Sequence, residues 1–184
     1  MNHPITRDEL RTYLTAFRYT AYRLELLDWY DEPAEADAFA TWQAGGQPAI
    51  YRGKRDWQAT VRRAAGRGAK MQRVHIVTGP LTDYLKFEFD WSYRQNLAAG
   101  EEILIWPFIP QIDQVRIAGL NDYWLFDSQA LVVMTYDEQG KLTRLTSVTD
   151  PALIVEANRQ RDAALHSAIP LDQFEEGSRV KHAM

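Results

Sequence analysis

Cysteine is absent from this 184-residue sequence, which excludes disulfides, thiol nucleophiles and thiolate metal ligands together. No apolar run approaches the roughly 18 residues that a membrane-spanning helix needs, so no membrane partner is expected. Residues 1–4 lack the charged-then-apolar pattern of a secretory signal, and a cytoplasmic location is therefore the expectation.

The common motifs of catalysis and metal binding are also missing. The sequence contains neither the Gly-x-Ser-x-Gly of serine hydrolases nor the Gly-x-x-x-x-Gly-Lys that cradles phosphates. None of the four histidines is paired at a ligand spacing, so neither a metal nor a cofactor is predicted. His75 alternates with Val74 and Ile76 and would face away from their core side. A place in a cleft is one interpretation, and an ordinary structural histidine is the favoured one.

No excess of positive charge favours nucleic acid as a partner, since the net charge is −4 at pH 7. The densest basic cluster is Arg62, Arg63, Arg67, Lys70 and Arg73. Such a cluster most often marks a solvated helix face, and nucleic-acid binding through it is the least favoured hypothesis.

The chain has enough apolar material for one core, with 46% hydrophobic residues and six tryptophans. We predict one globular domain over residues 1–174, followed by a polar, flexible tail over residues 175–184.

A stretch near the middle organises the prediction. Residues 122–127 alternate like a strand, residues 131–136 form a continuous apolar run, and the turn between them indicates a hairpin at the centre of a sheet. Strands at 71–77 and 103–106 flank a predicted helix over 80–98, which makes a βαβ unit. Further helices are predicted near 7–18, 31–44, 56–65 and 151–167, with strands near 19–26 and 141–148. The predicted fold is therefore α/β, a mixed sheet of about five or six strands with helices on both faces.

A set of short motifs spans about residues 20–175. They are Arg73-x-x-Ile76-Val77-x-x-Pro80-x-x-Asp83-Tyr84, Phe87-Glu88, Asn96-x-x-Ala99-Gly100-Glu101, Asn121-Asp122-x-Trp124-Leu125-Phe126-Asp127 and Asp150-Pro151, with Leu24-Glu25 and Ala168-Ile169-Pro170 near the two ends. Together they resemble a family of small actinobacterial proteins known only as a domain of unknown function and often encoded beside helix-turn-helix regulators. The resemblance implies a single domain with a regulatory role. The chain departs from the family's basic pattern at Trp106-Pro107-Phe108, so no anion-binding role is carried over.

A weaker resemblance is to degenerate phospholipase D-type folds, whose half-site reads His-x-Lys-x-x-x-x-Asp. Aligning its aspartate with Asp127 places Leu120 at the nucleophile position and Asp122 at the lysine position. Leucine cannot attack phosphorus and a carboxylate repels a phosphodiester, so that chemistry is not expected.

The remaining candidates are polar residues around the predicted sheet. Three segments should meet at a ligand site: the 79–84 turn, the irregular 107–120 stretch, and Asn121 with Asp122. The donors and acids there suit an amide, an amine or a zwitterion better than a phosphate. The predicted ligand-binding residues are Asp83, Tyr84, Glu88, Trp106, Asn121, Asp122 and Asp127. Structural roles, such as helix-dipole stabilisation by Asp83 and turn formation by Asp127, are the favoured alternative.

Two functional hypotheses remain. The leading one is a non-catalytic regulatory domain that binds a small ligand or a partner protein such as a regulator. The alternative is a metal-independent enzyme that uses Asp83, Glu88, Asp122 or Asp127 as acid and base, which requires two carboxyls within about 6 Å. Asp122→Ala is expected to abolish binding with little loss of stability. A homodimer is left open.

Overall fold

One mixed sheet organises the computed structural model, which describes residues 2–107 and 121–182, with side chains described as far as residue 177. Its eight described strands are β1 (His3–Ile5), β2 (Thr20–Glu25), β3 (Lys70–Val77), β4 (Glu102–Pro107), β5 (Asp122–Phe126), β6 (Ala130–Tyr136), β7 (Leu142–Val148) and β8 (Ile169–Pro170). Their order across the sheet is β1-β7-β6-β5-β2-β3-β4-β8. The predicted α/β class is confirmed. The sheet exceeds the predicted five or six strands because β1 and β8 are too short to show a period-two pattern.

The helices include three consecutive pieces between β3 and β4. In the described residues they are α1 (Arg7–Ala16), a 3₁₀ turn (Pro33–Glu35), α2 (Ala36–Gln43), α3 (Arg52–Gly66), α4 (Asp83–Phe87), a π segment (Glu88–Tyr93), α5 (Arg94–Ala99), α6 (Pro151–Ser167) and α7 (Leu171–His182). Helix α7 runs through most of the predicted tail, whose flexibility stays a prediction. Within these ranges, none of the helices has the length and apolar character needed to cross a bilayer.

Two predicted helix starts are wrong. Helix α3 begins at Arg52 rather than at Asp56, because Lys54 joins Gln58 and Val61 on the face that packs against the rest of the protein. The first buried residue of this i, i+4, i+7 pattern is a lysine, so the pattern could not be recognised as an apolar helix face in the sequence. The predicted 80–98 helix begins at Asp83, since Thr82 is the N-cap and its hydroxyl accepts a hydrogen bond from the backbone N–H of Leu85 at 3.1 Å.

The predicted central hairpin is confirmed. Tyr123 of β5 pairs with Val133 of β6, and the strands are antiparallel. Asp127 and Ser128 turn the chain with φ of 50° and 61°. The predicted βαβ unit is also confirmed, because β3 and β4 are parallel neighbours joined through α4, the π segment and α5.

Helices cover both faces of the sheet, as predicted. Helix α6 covers an apolar face that includes Leu24, Val74 and Leu125. Helices α1 and α3 cover the other face, where Trp124 and Phe126 belong to a second apolar cluster. On this second face, β2 and β3 also carry Arg23, Glu25, Arg73 and His75, which are buried or nearly so. Polar side chains therefore occupy the middle of a covered layer.

The parallel strands β2, β3 and β4 end at one edge of the sheet, here called the carboxyl edge. Strand β5 begins at the same edge because it runs antiparallel to β2. The segments at 26–30 and 78–83 and the pair 121–122 therefore lie at this edge, where open α/β sheets commonly bind ligands.

Candidate functional site

Charged side chains on β2, β3 and β5, with one more just before β4, form a buried charge network under the π segment. Its members are Arg23, Glu25, Arg73, Glu101 and Asp122. Arg73 lies 2.7 Å from Glu25 and 2.9 Å from Glu101, while Arg23 lies 3.3 Å from Glu25 and 3.2 Å from Asp122. Each arginine thus joins two carboxylates that belong to different elements of the fold.

The network keeps Glu25 and Arg73 ionised. Burial alone would raise the pKa of Glu25, but the charges of Arg73 and Arg23 outweigh it and hold that pKa well below its usual range. Burial alone would lower the pKa of Arg73, but Glu101 and Glu25 raise that pKa above its ordinary value. Mutual neutralisation offsets the cost of burying these charges in a water-excluded layer.

His75 is fully buried beside the network, with 0% of its surface exposed, so it does not line an open cleft. Its Nδ1 lies 2.6 Å from the hydroxyl of Tyr93, and its Nε2 lies 2.9 Å from the carbonyl oxygen of Leu27. Tyr93 also donates to Glu25 at 2.8 Å. The favoured structural interpretation of this histidine agrees with these contacts.

Asp122 ties the start of β5 to the end of β2. Its Oδ1 accepts from the backbone N–H of Leu26 at 3.0 Å, and its Oδ2 accepts from the hydroxyl of Tyr30 at 2.5 Å and from Arg23 at 3.2 Å. Burial raises the pKa of Asp122, although Arg23 and the Tyr30 hydrogen bond oppose the rise. Both oxygens of this predicted ligand-binding residue are thus engaged by the protein itself.

The other predicted site residues are dispersed. Asp83 is exposed and pairs with Lys86 at 2.9 Å, and Asn121 is exposed at the carboxyl edge. Trp106 is buried in the apolar cluster under α6, on the opposite face from Asp122. Asp127 lies at the far end of β5, so the carboxylates proposed for acid–base work do not form one group.

Asp127 binds backbone rather than another side chain. Its carboxylate accepts from the N–H groups of Arg18 and Tyr19 at 2.7 Å and of Thr20 at 2.9 Å. Burial works against ionisation, but these hydrogen bonds outweigh it and lower the pKa of Asp127. The residue joins the β5–β6 turn to the loop before β2.

Glu88 and Tyr84 belong to a second group, here called the π cluster, with Glu35, Lys54 and Ser92. The Tyr84 hydroxyl donates to Glu35 at 3.1 Å, and Lys54 Nζ donates to Ser92 Oγ at 2.6 Å. Glu88 Oε1 is buried and is one of the few such atoms in the described residues that has no hydrogen-bond partner. The π segment supplies both Glu88 and Ser92, and π segments frequently occur at functional sites.

The π cluster contains two titratable groups with shifted pKa values. Burial, reinforced by the charge of Glu35, raises the pKa of Glu88 to about 8, although Lys54 opposes the rise. Burial lowers the pKa of Lys54, with Glu88 and Glu35 opposing that shift. A carboxyl and an amine with pKa values moved toward neutrality are common in functional sites.

Residues 26–30 connect the predicted site segments. The hydroxyls of Thr78 and Thr82 donate to Asp28, at 3.2 Å to Oδ2 and at 2.7 Å to the backbone oxygen. Asp28 Oδ1 is buried without a hydrogen-bond partner. Trp29 is 43% exposed, and its ring centroid lies 4.9 Å from that of Tyr84. Since Leu26 binds Asp122, the 79–84 turn and the 121–122 pair share one edge, as predicted.

The 107–120 stretch, apart from Pro107, lies outside the described residues, and so do Phe108 and Leu120. Among the ranges that the structure does describe, no group of three or more histidine, aspartate or glutamate side chains is placed to hold a metal ion. Two shallow surface depressions lie elsewhere, one beside Asn2 and Pro151 and one beside Ile5 and Leu145.

Sequence reasoning missed Asp28, Trp29 and Lys54 as functional candidates. Asp28 and Trp29 come soon after the predicted strand near 19–26. Ligands of open α/β sheets bind at such strand ends, so this position was the sequence signal for both residues. Lys54 falls between the predicted helices near 31–44 and 56–65, so its burial had no sequence signal.

The chain was compared with known proteins and families. No curated protein matches it. A family model described as "Domain of unknown function (DUF6879)" matches residues 8–176, which is most of the sequence. The chain therefore belongs to the DUF6879 family.

Proposed function

We propose that this protein is a non-catalytic domain that binds a small ligand or a partner protein at the carboxyl edge. The observation that carries the proposal is the pair of neighbours Asp28 and Trp29. One supplies a buried carboxylate oxygen without a partner, and the other supplies a large exposed ring. An apolar contact surface beside a polar group that fixes orientation is the usual composition of a binding site.

The charge of this edge favours a ligand with positive charge or hydrogen-bond donors. Asp28, Asp31, Glu32 and Glu35 occur within eight positions and no basic residue lies among them. A phosphate would be repelled here, whereas an amine, an amide or a zwitterion would meet acceptors. This agrees with the ligand class expected from the sequence.

Binding is favoured over acid–base catalysis because the predicted acids are occupied or dispersed. Asp122 accepts three hydrogen bonds, Asp127 holds three backbone N–H groups, and Asp83 is exposed. The second candidate is a metal-independent enzyme. The raised pKa of Glu88 near Lys54 is the specific observation in its favour.

We propose a transcription regulator as the first partner to test, because the resemblance drawn from the sequence implies a family often encoded beside helix-turn-helix regulators. That support is associational. A degenerate phospholipase D-like fold and a cytoplasmic location belong to the same proposal, and a homodimer is left open. Nucleic acid is not proposed as a partner, given the net charge of −4.

The test uses Asp28→Asn and Trp29→Ala, with Tyr19→Ala as a control because Tyr19 is also an exposed aromatic residue, at 66%. Each variant is used in pull-downs from the source-cell lysate and in calorimetric titrations with free amino acids, amides and polyamines. We expect the same ligand or partner to be retained by the wild type and Tyr19→Ala and lost by Trp29→Ala. No retained partner or ligand, together with turnover in a substrate panel, would overturn the proposal in favour of the enzyme.

A further inference from the structure

Lys54 is a buried ammonium group with too few acceptors. It is 4% exposed, although a lysine carries three donors and is seldom buried without a counter-charge. Its Nζ donates to Ser92 Oγ at 2.6 Å and lies 5.6 Å from the ring centroid of Trp91. These two contacts leave two of its N–H donors without a hydrogen-bond acceptor among the described side chains.

Glu88 presents the complementary deficiency on the π segment, about one turn before Ser92. It is 6% exposed, and its Oε1 has no hydrogen-bond partner. Ser92, which accepts from Lys54 Nζ, follows Glu88 by four positions on the same helical segment, so the Glu88 carboxyl group lies on the same side of that segment as the ammonium. Among the described side chains the two nevertheless form no ion pair within 4.0 Å. Ser92 holds the ammonium next to the π segment without bringing it into contact with the Glu88 carboxyl group. An unused donor and an unused acceptor therefore lie close together in a buried layer.

We propose that Lys54 and Glu88 together bind a small molecule through a primary carboxamide group. The carboxamide oxygen accepts from Lys54 Nζ, and the amide N–H₂ donates to Glu88 Oε1. This assignment satisfies both deficiencies with one neutral group whose oxygen and nitrogen lie on the same carbon atom.

A carboxamide fits these surroundings better than an ion does. The aromatic rings of Tyr51 and Trp91 stack with centroids 6.3 Å apart beside Lys54, so a bound group loses most of its water. A neutral amide loses less hydration free energy on burial than a zwitterion or a phosphate does. The nearby carboxylate of Glu35, which accepts from the hydroxyls of Tyr51 and Tyr84, further disfavours an anion.

Glu35 and Tyr51 are half-buried and form the part of these surroundings that reaches solvent. The site uses Lys54, Ser92 and Glu88, whereas the proposed edge site uses Asp28 and Trp29. The two proposals therefore fail independently, because the variants that test one leave the other's residues unchanged.

The test is an NMR titration with propionamide, followed through the indole N–H of Trp91 and the Lys54 side chain. N,N-dimethylpropionamide is the matched ligand control, since it keeps the carbonyl oxygen but has no N–H donor. Lys54→Met and Glu88→Leu remove one partner each. Asp90→Asn is the protein control, because Asp90 is an exposed acid in the same π segment.

We expect saturable shifts with millimolar affinity for propionamide, as is usual for so small a ligand. Binding should weaken at least tenfold in Lys54→Met, in Glu88→Leu and with the dimethyl amide, and stay unchanged in Asp90→Asn. Absence of a saturable shift overturns the proposal, and so does equal binding of the two amides. Should a variant fail to fold, the comparison of the two amides on the wild-type protein still decides the outcome.

Discussion

The hydroxyl of Tyr93 lies 2.6 Å from Nδ1 of His75. The other hydrogen bonds of these two residues indicate which of them donates the proton in this contact. Nε2 of His75 faces the carbonyl oxygen of Leu27, which only accepts, so Nε2 carries a proton. Tyr93 has one proton and directs it to Glu25, whose charge is held by two arginines. In the contact between Tyr93 and His75, Nδ1 of His75 is therefore the donor and the Tyr93 hydroxyl is the acceptor.

We therefore expect protons on both ring nitrogens of His75. With Arg23 and Arg73, this histidine makes three cations that balance the carboxylates of Glu25, Glu101 and Asp122. The ¹⁵N chemical shifts of the ring report this directly. Two different shifts, one of them typical of an unprotonated nitrogen, would show that Tyr93 donates to His75 instead.

Tyr93→Phe should destabilise the fold by about 1–3 kcal/mol, because it leaves Glu25 Oε2 and His75 Nδ1 without their buried partner. Tyr13→Phe is the control, since the hydroxyl of half-buried Tyr13 makes one long contact, 3.3 Å from Ser147. Urea unfolding measures both variants. Equal losses of unfolding free energy in the two proteins would mean that the buried hydrogen bonds of the Tyr93 hydroxyl add no more stability than the single contact of Tyr13.

Glu88 should make the stability of the protein depend on pH. Its pKa is raised by burial from 4.5 to about 8, so the folded state holds a proton that the unfolded state releases. The resulting stabilisation is complete below pH 4.5 and is lost as the pH rises through about 8. Glu88→Gln should remove this decline, whereas Asp90→Asn should retain it. Urea unfolding from pH 5 to pH 9 compares the three proteins, and identical slopes for wild type and Glu88→Gln would contradict the assignment.

Asp122→Ala should destabilise the fold by about 3–5 kcal/mol, because it leaves Arg23 buried with one fewer partner. From the sequence we expected little loss, and the three hydrogen bonds of the carboxylate change that expectation. Trp124→Ala should lose a similar amount, about 3–5 kcal/mol, through the cavity it opens. Calorimetric unfolding measures both, and a stable Asp122→Ala protein would restore the ligand-binding interpretation.

Gly140 occupies a position that no other residue fits. Its φ is +77°, and a Cβ there would lie 2.8 Å from the backbone oxygen of Trp29. Gly45 has the same φ of +77° with nothing within 4 Å of such a Cβ, so it separates backbone strain from collision. Gly45→Ala should cost about 1 kcal/mol and Gly140→Ala clearly more. Equal thermal shifts would show that the Trp29 segment moves aside freely.

Local patterns made much of this fold predictable. The hairpin at 122–136 and the helices predicted near 7–18 and 151–167 all depend on neighbours in sequence, and all three are present, with Thr6 and Asp150 as the N-caps of the two helices. The charged alternation of β2 was predictable as a strand but not as a buried one. Its arginine and glutamate find partners on β3 and β5, which no local pattern specifies.

The candidate site was harder to predict for the same reason. Tyr84 and Glu88 do lie in one polar group, but their partners Glu35 and Lys54 come from distant segments. The π segment is defined by its backbone hydrogen bonds, and its sequence reads as ordinary helix. Asp122 was correctly placed at the edge, and its pairing with Arg23 emerged only from the strand register.

The buried charge network has a consequence for how the chain folds. Arg73 and Glu101 are 28 positions apart, and Arg23 and Asp122 are 99 positions apart. A partly folded chain that buried some of these groups before their partners would leave an unpaired ion in an apolar layer, at a high cost in free energy. A one-residue slip of β2 would move Arg23 to the apolar face under α6. The ions thereby penalise intermediates and misregistered sheets, so we expect this domain to unfold cooperatively, in a single step.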